Sequence, residues 1–291
     1  MTVTVAFIGL GVMGFPMAGH LSTAGFTTRV YNRTRFRAEE WAERYDGTHC
    51  ATIADTVRDA DFIMTCVGAD PDLISIFKGA DGIIANAKRG ALVIDHTTAS
   101  ATIAEQLARD CEEHGIGFMD APVSGGQAGA ENGQLTIMCG GHRGHFEQAA
   151  PILNCYAKAC NLMGTAGAGQ KTKMVNQIAI AGLLQGLSEA LNFAEHANLN
   201  IEKVVEVISK GAAQSWQMEN RSGTMAKGEF EHGFAVDWMR KDLAICLNEA
   251  RKNGASLPVT AVVDQFYADV QAMGGNRWDT SALIQRLRNK K

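Results

Sequence analysis

Proline is scarce in this 291-residue chain, at 5 residues against 31 glycines. That shortage leaves room for long uninterrupted helices, because proline interrupts them. None of the 7 cysteines belongs to a Cys-x-x-Cys pair, which speaks against a disulfide scaffold or zinc ribbon and predicts buried, reduced thiols. No sign of charge dominates either. Lys and Arg total 27 against 31 Asp and Glu, net −4, without the basic surplus of nucleic-acid and anionic-membrane binders. No run reaches the ~18–20 apolar residues of a membrane span, and the first residues lack the basic segment of a signal peptide. A cytoplasmic protein with neither nucleic-acid nor membrane partners is the expectation.

What is present is an ordinary core composition, 46% hydrophobic, in a chain long enough for two domains of roughly 100–200 residues each. The first half alternates apolar runs with helical stretches. Strands are expected over Thr2 to Gly9, 28–31, 62–67, 91–94, 118–119 and 135–139, with helices over 13–24, 35–45 and 100–114. Strands separated by helices of this length predict βαβ units and a mainly parallel sheet. Beyond Met163 the pattern becomes helical. Apolar residues recur at helical spacing from Gly169 to Ala197, with later helices over 201–210, 237–253 and 259–273, punctuated by Gly211, Gly254 and Gly274–Gly275. The expectation is an α/β domain over 1–164 and an all-α domain over 165–291, joined by a long helix. Gly182 and Gly186 share a face of it where another helix could approach, which points to a homo-oligomer.

Gly9-Leu10-Gly11-Val12-Met13-Gly14 follows a buried-type strand and opens a helix. In that context G-x-G-x-x-G is a dinucleotide fingerprint: Gly9 permits the tight turn, Gly11 the approach of a pyrophosphate, and Gly14 close helix–strand packing. The phosphates would sit at the positive helix N-terminus. At the end of the second strand, where an acidic residue would favour NAD, stand Asn32-Arg33-Thr34-Arg35. A guanidinium and a hydroxyl can bind a 2′-phosphate that a carboxylate would repel, so NADP(H) is the preferred cofactor, with NAD(H) the alternative. His142 and His145 read as a solvent turn, and no metal is expected.

The chain resembles the β-hydroxyacid dehydrogenase family (3-hydroxyisobutyrate dehydrogenase and relatives). The resemblance lies in Gly9 to Ala18, in Asp120-Ala121-Pro122-Val123-Ser124-Gly125-Gly126 and on to Ala130, in Gly167 to Asn176, and in Lys241-Asp242-Leu243. It implies a Rossmann domain, a helical C-terminal domain that builds a homodimer or homotetramer, and reversible NAD(P)-linked oxidation of a small hydroxyacid. Ser124, Gly125 and Gly126 offer a hydroxyl and successive backbone N–H groups, a suitable anion nest; by resemblance it holds the substrate carboxylate. Lys173 matches the family's catalytic lysine, and an alcohol–carbonyl conversion needs such a proton donor and acceptor.

Asn176 lies three residues on, on the same helical face, and is expected to orient the substrate or the lysine. Gln177 stands where many relatives have a second Asn, and Lys171 reads as a solvated lysine. Lys241 and Asp242 match a pair that reaches back to the active site. Thr98 matches a cofactor contact, and Cys66-Val67 follow the strand that passes near the cofactor, without the family's usual Leu-Pro. His96 replaces a commonly small or apolar residue. Trp216, Phe234 and Trp238 are candidate distal pocket residues.

Relatives that reduce imines usually lack the lysine, and decarboxylating 6-phosphogluconate-type enzymes are much longer. A catalytically silent dinucleotide-binding scaffold remains the alternative of another class. Among hydroxyacid enzymes, glyoxylate, succinic semialdehyde or tartronate semialdehyde reductases are alternatives to 3-hydroxyisobutyrate dehydrogenase, since their substrates differ by groups worth only ~1–3 kcal/mol in an apolar pocket.

Overall fold

A computed structural model describes residues 3–288; Thr2, the expected start of the first strand, lies outside them. The chain divides into two compact units, Met1–Lys173 and Met174–Lys291. Their meeting point falls inside the long helix Ala168–His196, whereas the boundary drawn from sequence, 164/165, falls at the end of a strand.

The first unit carries β1 (Thr4–Ile8), β2 (Thr27–Tyr31), β3 (Thr48–His49), β4 (Phe62–Thr65), β5 (Leu92–Asp95), β6 (Gly117–Asp120), β7 (Val123–Ser124), β8 (Leu135–Gly141) and β9 (Ala157–Gly164). Their order is β3-β2-β1-β4-β5-β6-β8-β7, with β9 on β8. From β3 to β6 the strands are parallel, and β8 runs antiparallel to β6 and β7. The run 3-2-1-4-5-6 is the doubly wound order, whose ligand crevice opens at the carboxyl ends of the strands beside β1.

Alternation along each strand builds two cores. Val5 and Phe7 of β1 join Met17, Leu21 and Trp41 on one face of the sheet. Ala6 and Ile8 point to the other face, among Ile63, Val93, Leu107 and Phe118. Helices therefore cover both faces, which explains why the central strands read as continuous apolar runs.

β9 escapes sequence reading because it is a half-exposed edge strand without a clean period-two pattern. The expected buried thiols are found only at Cys111, Cys139 and Cys246; Cys50, Cys66, Cys155 and Cys160 are partly exposed. Their short side chains lie where the sheet margin and loops leave one side open.

The second unit is helical. Leu184, Leu187 and Leu191 of the long helix pack with Met239 and Leu243 of helix Val236–Asn253 and with Val263 and Tyr267 of helix Pro258–Ala272. Helix Trp216–Lys227 goes unread in the sequence because it buries only Met218, Ser222 and Met225. Ser215 caps it by accepting from Met218 N at 3.1 Å, and the left-handed Gly228 and Gly254 close two helices as C-caps. No helix among the described residues is long and apolar enough to cross a membrane.

Candidate active site

The carboxyl edge of the parallel strands gathers most of the expected site. Gly9 follows β1 with φ 98°, and a Cβ there would run into the carbonyl of Cys66, just past β4. A Cβ at Gly14 would strike the carbonyl of Gly9, so these two glycines are required by the fold itself. Gly11 differs: it is exposed, and a Cβ on it would meet nothing within 4 Å. Packing does not account for this glycine, whereas an approaching pyrophosphate does. Leu10 is buried and Val12 exposed, with Met13 between. The turn is held from β2, for Leu10 N donates to Asn32 Oδ1 at 2.9 Å and Asn32 Nδ2 donates to Thr34 O at 2.9 Å. Asn32 is thus a clamp on the turn. Arg33 is 89% exposed in its side chain and pairs at 3.1 Å with Asp72. Beside it Thr34 is exposed as well. A dinucleotide fits the residues present: an open glycine turn, buttressed from β2, with an exposed cation at the strand end.

The loops after β4 and β5 are tied together. Val67 N donates to Thr97 Oγ1 at 3.0 Å, and Ser100 N and Oγ donate to the Asp70 carboxylate at 2.9 and 2.6 Å. Thr98 sits half-buried between these ties. Beneath it Asp95 Oδ1 accepts from Thr65 Oγ1 at 2.7 Å and from Thr97 N at 3.0 Å, while Oδ2 has no hydrogen-bond partner among the described residues. Burial pushes the Asp95 carboxyl up to about 7, against the pull of the threonines. Asp120, its register partner on β6, is driven up to about 6, again by burial.

Asp120 organises the next layer. Its Oδ1 accepts from Gly167 N at 2.7 Å and its Oδ2 from Gln170 N at 2.8 Å, so one carboxyl caps the helix that carries Lys173. Gly169 must lack a side chain because a Cβ would strike the carbonyl of Met138 and meet Asp120 Oδ2 at 2.8 Å. Lys173 is only 7% exposed, unusual for a lysine. Lys171 turns the other way and pairs with Glu105 at 2.8 Å, half-exposed as expected. Ser124 is half-buried on β7, and Gly125 and Gly126 are exposed with φ 134° and 62°. Successive left-handed glycines suit an anion nest.

Three residues that sequence reading passes over or sets aside hold this edge in place. Gln170 is fully buried, and its amide joins Ala99 N and Thr97 O. His96, expected only as a departure from the family, donates from Nδ1 to Ala121 O at 2.7 Å and accepts at Nε2 from Tyr156 OH at 2.8 Å. Burial pushes the imidazole down to about 4, so it is neutral near pH 7 and its two nitrogens can play these opposite roles. No local signal could have revealed these partners, which are 25 and 60 residues away.

In the second unit Gln177 is 2% exposed and donates to Asp242 Oδ2 at 2.6 Å, while its Oε1 accepts from Asn176 Nδ2 at 2.8 Å. Lys241 Nζ lies 3.1 Å from Asp242 Oδ1 and 5.8 Å from the Trp238 ring centroid. These four residues form one polar chain, and Gln177 is a link within it. Trp216 is 53% exposed and stacks with Arg221, while Phe234 packs against the helical core. His142 caps helix Arg143–Leu153 by accepting from Gly144 N at 3.1 Å. No cluster of three metal-ligating residues occurs among the described residues.

Known proteins match over nearly the whole length. Residues 4–164 match the NAD-binding domain of 6-phosphogluconate dehydrogenase, and residues 167–287 match the NAD-binding domain of NADP-dependent 3-hydroxyisobutyrate dehydrogenase. An uncharacterized oxidoreductase of Shewanella frigidimarina is 58% identical over 97% of each chain. The 2-hydroxy-3-oxopropionate reductase of Escherichia coli is 33% identical over 97% of this chain and 96% of its own. Among solved structures, a 3-hydroxyisobutyrate dehydrogenase of Mycobacterium tuberculosis with L-serine superposes with a TM-score of 0.90 at 30% identity, covering 99% of this chain and 100% of that one.

Proposed function

Since the chain belongs to the β-hydroxyacid dehydrogenase family of NAD(P)-dependent enzymes, we propose that it interconverts a small β-hydroxyacid and its semialdehyde, with preference for NADP(H). The observation that carries this reading is the burial of Lys173, 7% exposed, on a helix capped by Asp120. Asp120 also begins the segment leading to Ser124, Gly125 and Gly126. In the proposed reaction the nest at 124–126 binds the substrate carboxylate and fixes which carbon faces the dinucleotide. Lys173 gives a proton to the carbonyl oxygen during reduction and takes it from the hydroxyl during oxidation. The nicotinamide, when bound, supplies or accepts the hydride. Cys66, Val67 and Thr98 line the cofactor from the ends of β4 and β5 in this reading. Asn176, Gln177, Lys241 and Asp242 serve substrate and cofactor, a role that rests on the family resemblance alone.

The Mycobacterium enzyme is paired in its structure with L-serine, itself a β-hydroxyacid, which favours that substrate class here. The likeness to 2-hydroxy-3-oxopropionate reductase favours a second reading, reduction of tartronate semialdehyde. A panel of 3-hydroxyisobutyrate, L-serine and glyoxylate, with tartronate and succinic semialdehydes, assayed with each cofactor, separates the readings by kcat/KM. Turnover of none of them would return the chain to a dinucleotide-binding scaffold.

NADP(H) preference is assigned to Arg33, which is exposed and able to leave Asp72 for a phosphate. Arg33→Ala is expected to lower the ratio of kcat/KM for NADPH to that for NADH by about 10- to 100-fold, the size of a lost charge-assisted hydrogen bond. An unchanged ratio would move the preference to another residue.

A further inference from the structure

Gln170 has no part in the chemistry described above, yet its side chain is fully buried and both ends of its amide are engaged. Oε1 accepts from Ala99 N at 3.0 Å, Nε2 donates to Thr97 O at 2.7 Å, and its own backbone N donates to Asp120 Oδ2 at 2.8 Å. Thr97 in turn accepts from Val67 N at 3.0 Å and donates its N–H to Asp95 at 3.0 Å. The Gln170 side chain therefore ties the loop after β5 to the first turn of the helix, while its backbone N–H reaches Asp120 on β6 and Thr97 carries the tie on to Val67 after β4. Lys173 is three residues further along, adjacent on the helix surface. A buried amide with both polar ends matched leaves little freedom, because breaking either bond strands a donor or acceptor away from water.

From this arrangement we propose that Gln170 is a positioning residue for proton exchange: it locks the 97–99 loop, which bears Thr98, to the helical turn that carries Lys173. The inference rests on the proposed role of Lys173. Catalysis is sensitive to such placement, since misplacement by about an ångström can cost 10²-fold in rate. Gln170 acts through Lys173 and the loop, and touches neither substrate nor dinucleotide in this scheme.

The test uses Gln170→Leu and Gln170→Glu in the full-length protein, alone and combined with Lys173→Ala. Gln170→Glu keeps an acceptor for Ala99 N and is assayed at a pH above the range in which burial keeps its carboxyl protonated, where, ionised, it has nothing to donate to Thr97 O. Each single variant is expected to lower kcat about 10- to 100-fold, with dinucleotide affinity by calorimetry falling less, by under about tenfold, because the glycine turn is untouched and only the Thr98 contact is loosened. Hydrogen exchange of the Ala99 amide, measured without ligand, is expected to quicken at least tenfold in Gln170→Leu. In the Lys173→Ala background the added loss from Gln170→Leu or Gln170→Glu is expected to shrink to under threefold, the non-additivity of residues acting as one unit.

Full additivity in both variants, or an Ala99 amide that exchanges as in the parent, would overturn the positioning role and leave Gln170 as packing alone. Gln170→Glu keeps the test open if Gln170→Leu fails to fold. Failure of the underlying function looks different, since Lys173→Ala by itself would then leave turnover unchanged.

Discussion

Lys173→Ala is expected to lower kcat by about 10²- to 10⁴-fold, the range that a positioned general acid or base contributes. Affinity for the dinucleotide, measured by calorimetry, should change by no more than about threefold, because in the proposed reading the glycine turn at Gly9–Gly14 holds the pyrophosphate. The difference between these two numbers is the informative quantity. A buried lysine also packs with its methylene stem, so the alanine variant loses contacts as well as an amine. Lys173→Met retains the stem and removes the charge. If both variants lose turnover and keep cofactor binding, the amine itself is responsible. Retained turnover in Lys173→Met would transfer proton exchange to another group, and loss of dinucleotide binding in both would indicate a disturbed fold.

The second large effect concerns stability and pH. Asp95 is fully buried beside Asp120, and its carboxyl is raised from an ordinary 3.8 to about 7, chiefly by burial. Between those values the folded chain holds a proton that the unfolded chain has released, so the stability contributed at low pH is lost as pH rises toward 7. At ~1.4 kcal/mol per unit, the loss between about pH 5 and pH 8 comes to about 2–3 kcal/mol.

Asp95→Asn is neutral throughout and escapes that loss. The variant is expected to gain stability relative to the parent between about pH 5 and pH 8 by the same 2–3 kcal/mol, read from urea midpoints at each pH. His96 works in the opposite sense. Its imidazole is lowered from 6.5 to about 4, so the stability it contributes grows over that interval as pH rises. The parent's own curve is therefore flatter than either group alone would make it, and the paired comparison isolates Asp95. A stability difference that stays constant with pH would mean that Asp95 is ionised in the fold across the whole range.

Legibility of the fold followed the burial of its elements. β1, β4 and β5 are apolar because helices cover both faces of the sheet, and the expected strands overlap the observed ones. The long helix was expected over 169–197 and runs Ala168–His196, since no proline interrupts it. Several of the elements missed have residues that are half wet, although the short helices Ile53–Val57 and Asp70–Phe77, also missed, bury three residues each. β9 is an exposed edge, β7 is two residues long, and helix Trp216–Lys227 shows only a thin buried stripe.

The candidate site divides along a similar line. Residues that would meet a ligand directly stand in short runs with a local reason for their type, such as Gly9 to Gly14 and Ser124 to Gly126. Residues that hold those runs in place have partners far off in the chain. Gln170 is 71 and 73 residues from the loop it fixes, and Asp120 is 47 and 50 from the amides it caps.

The chain alone determined that a strand ends in an open glycine turn, that no acidic residue stands at the end of β2, and that a lysine lies in a long helix. Each follows from backbone conformation or side-chain chemistry within about a dozen residues. Tertiary structure alone decided that Lys173 is buried, that Asp120 caps its helix, that His96 is a neutral bridge and Gln170 a buried tie. Burial and hydrogen-bond partnership are properties of neighbours in space, and β5 and β6 become neighbours of the Gly167–Gln170 turn only when the sheet has closed over its cores.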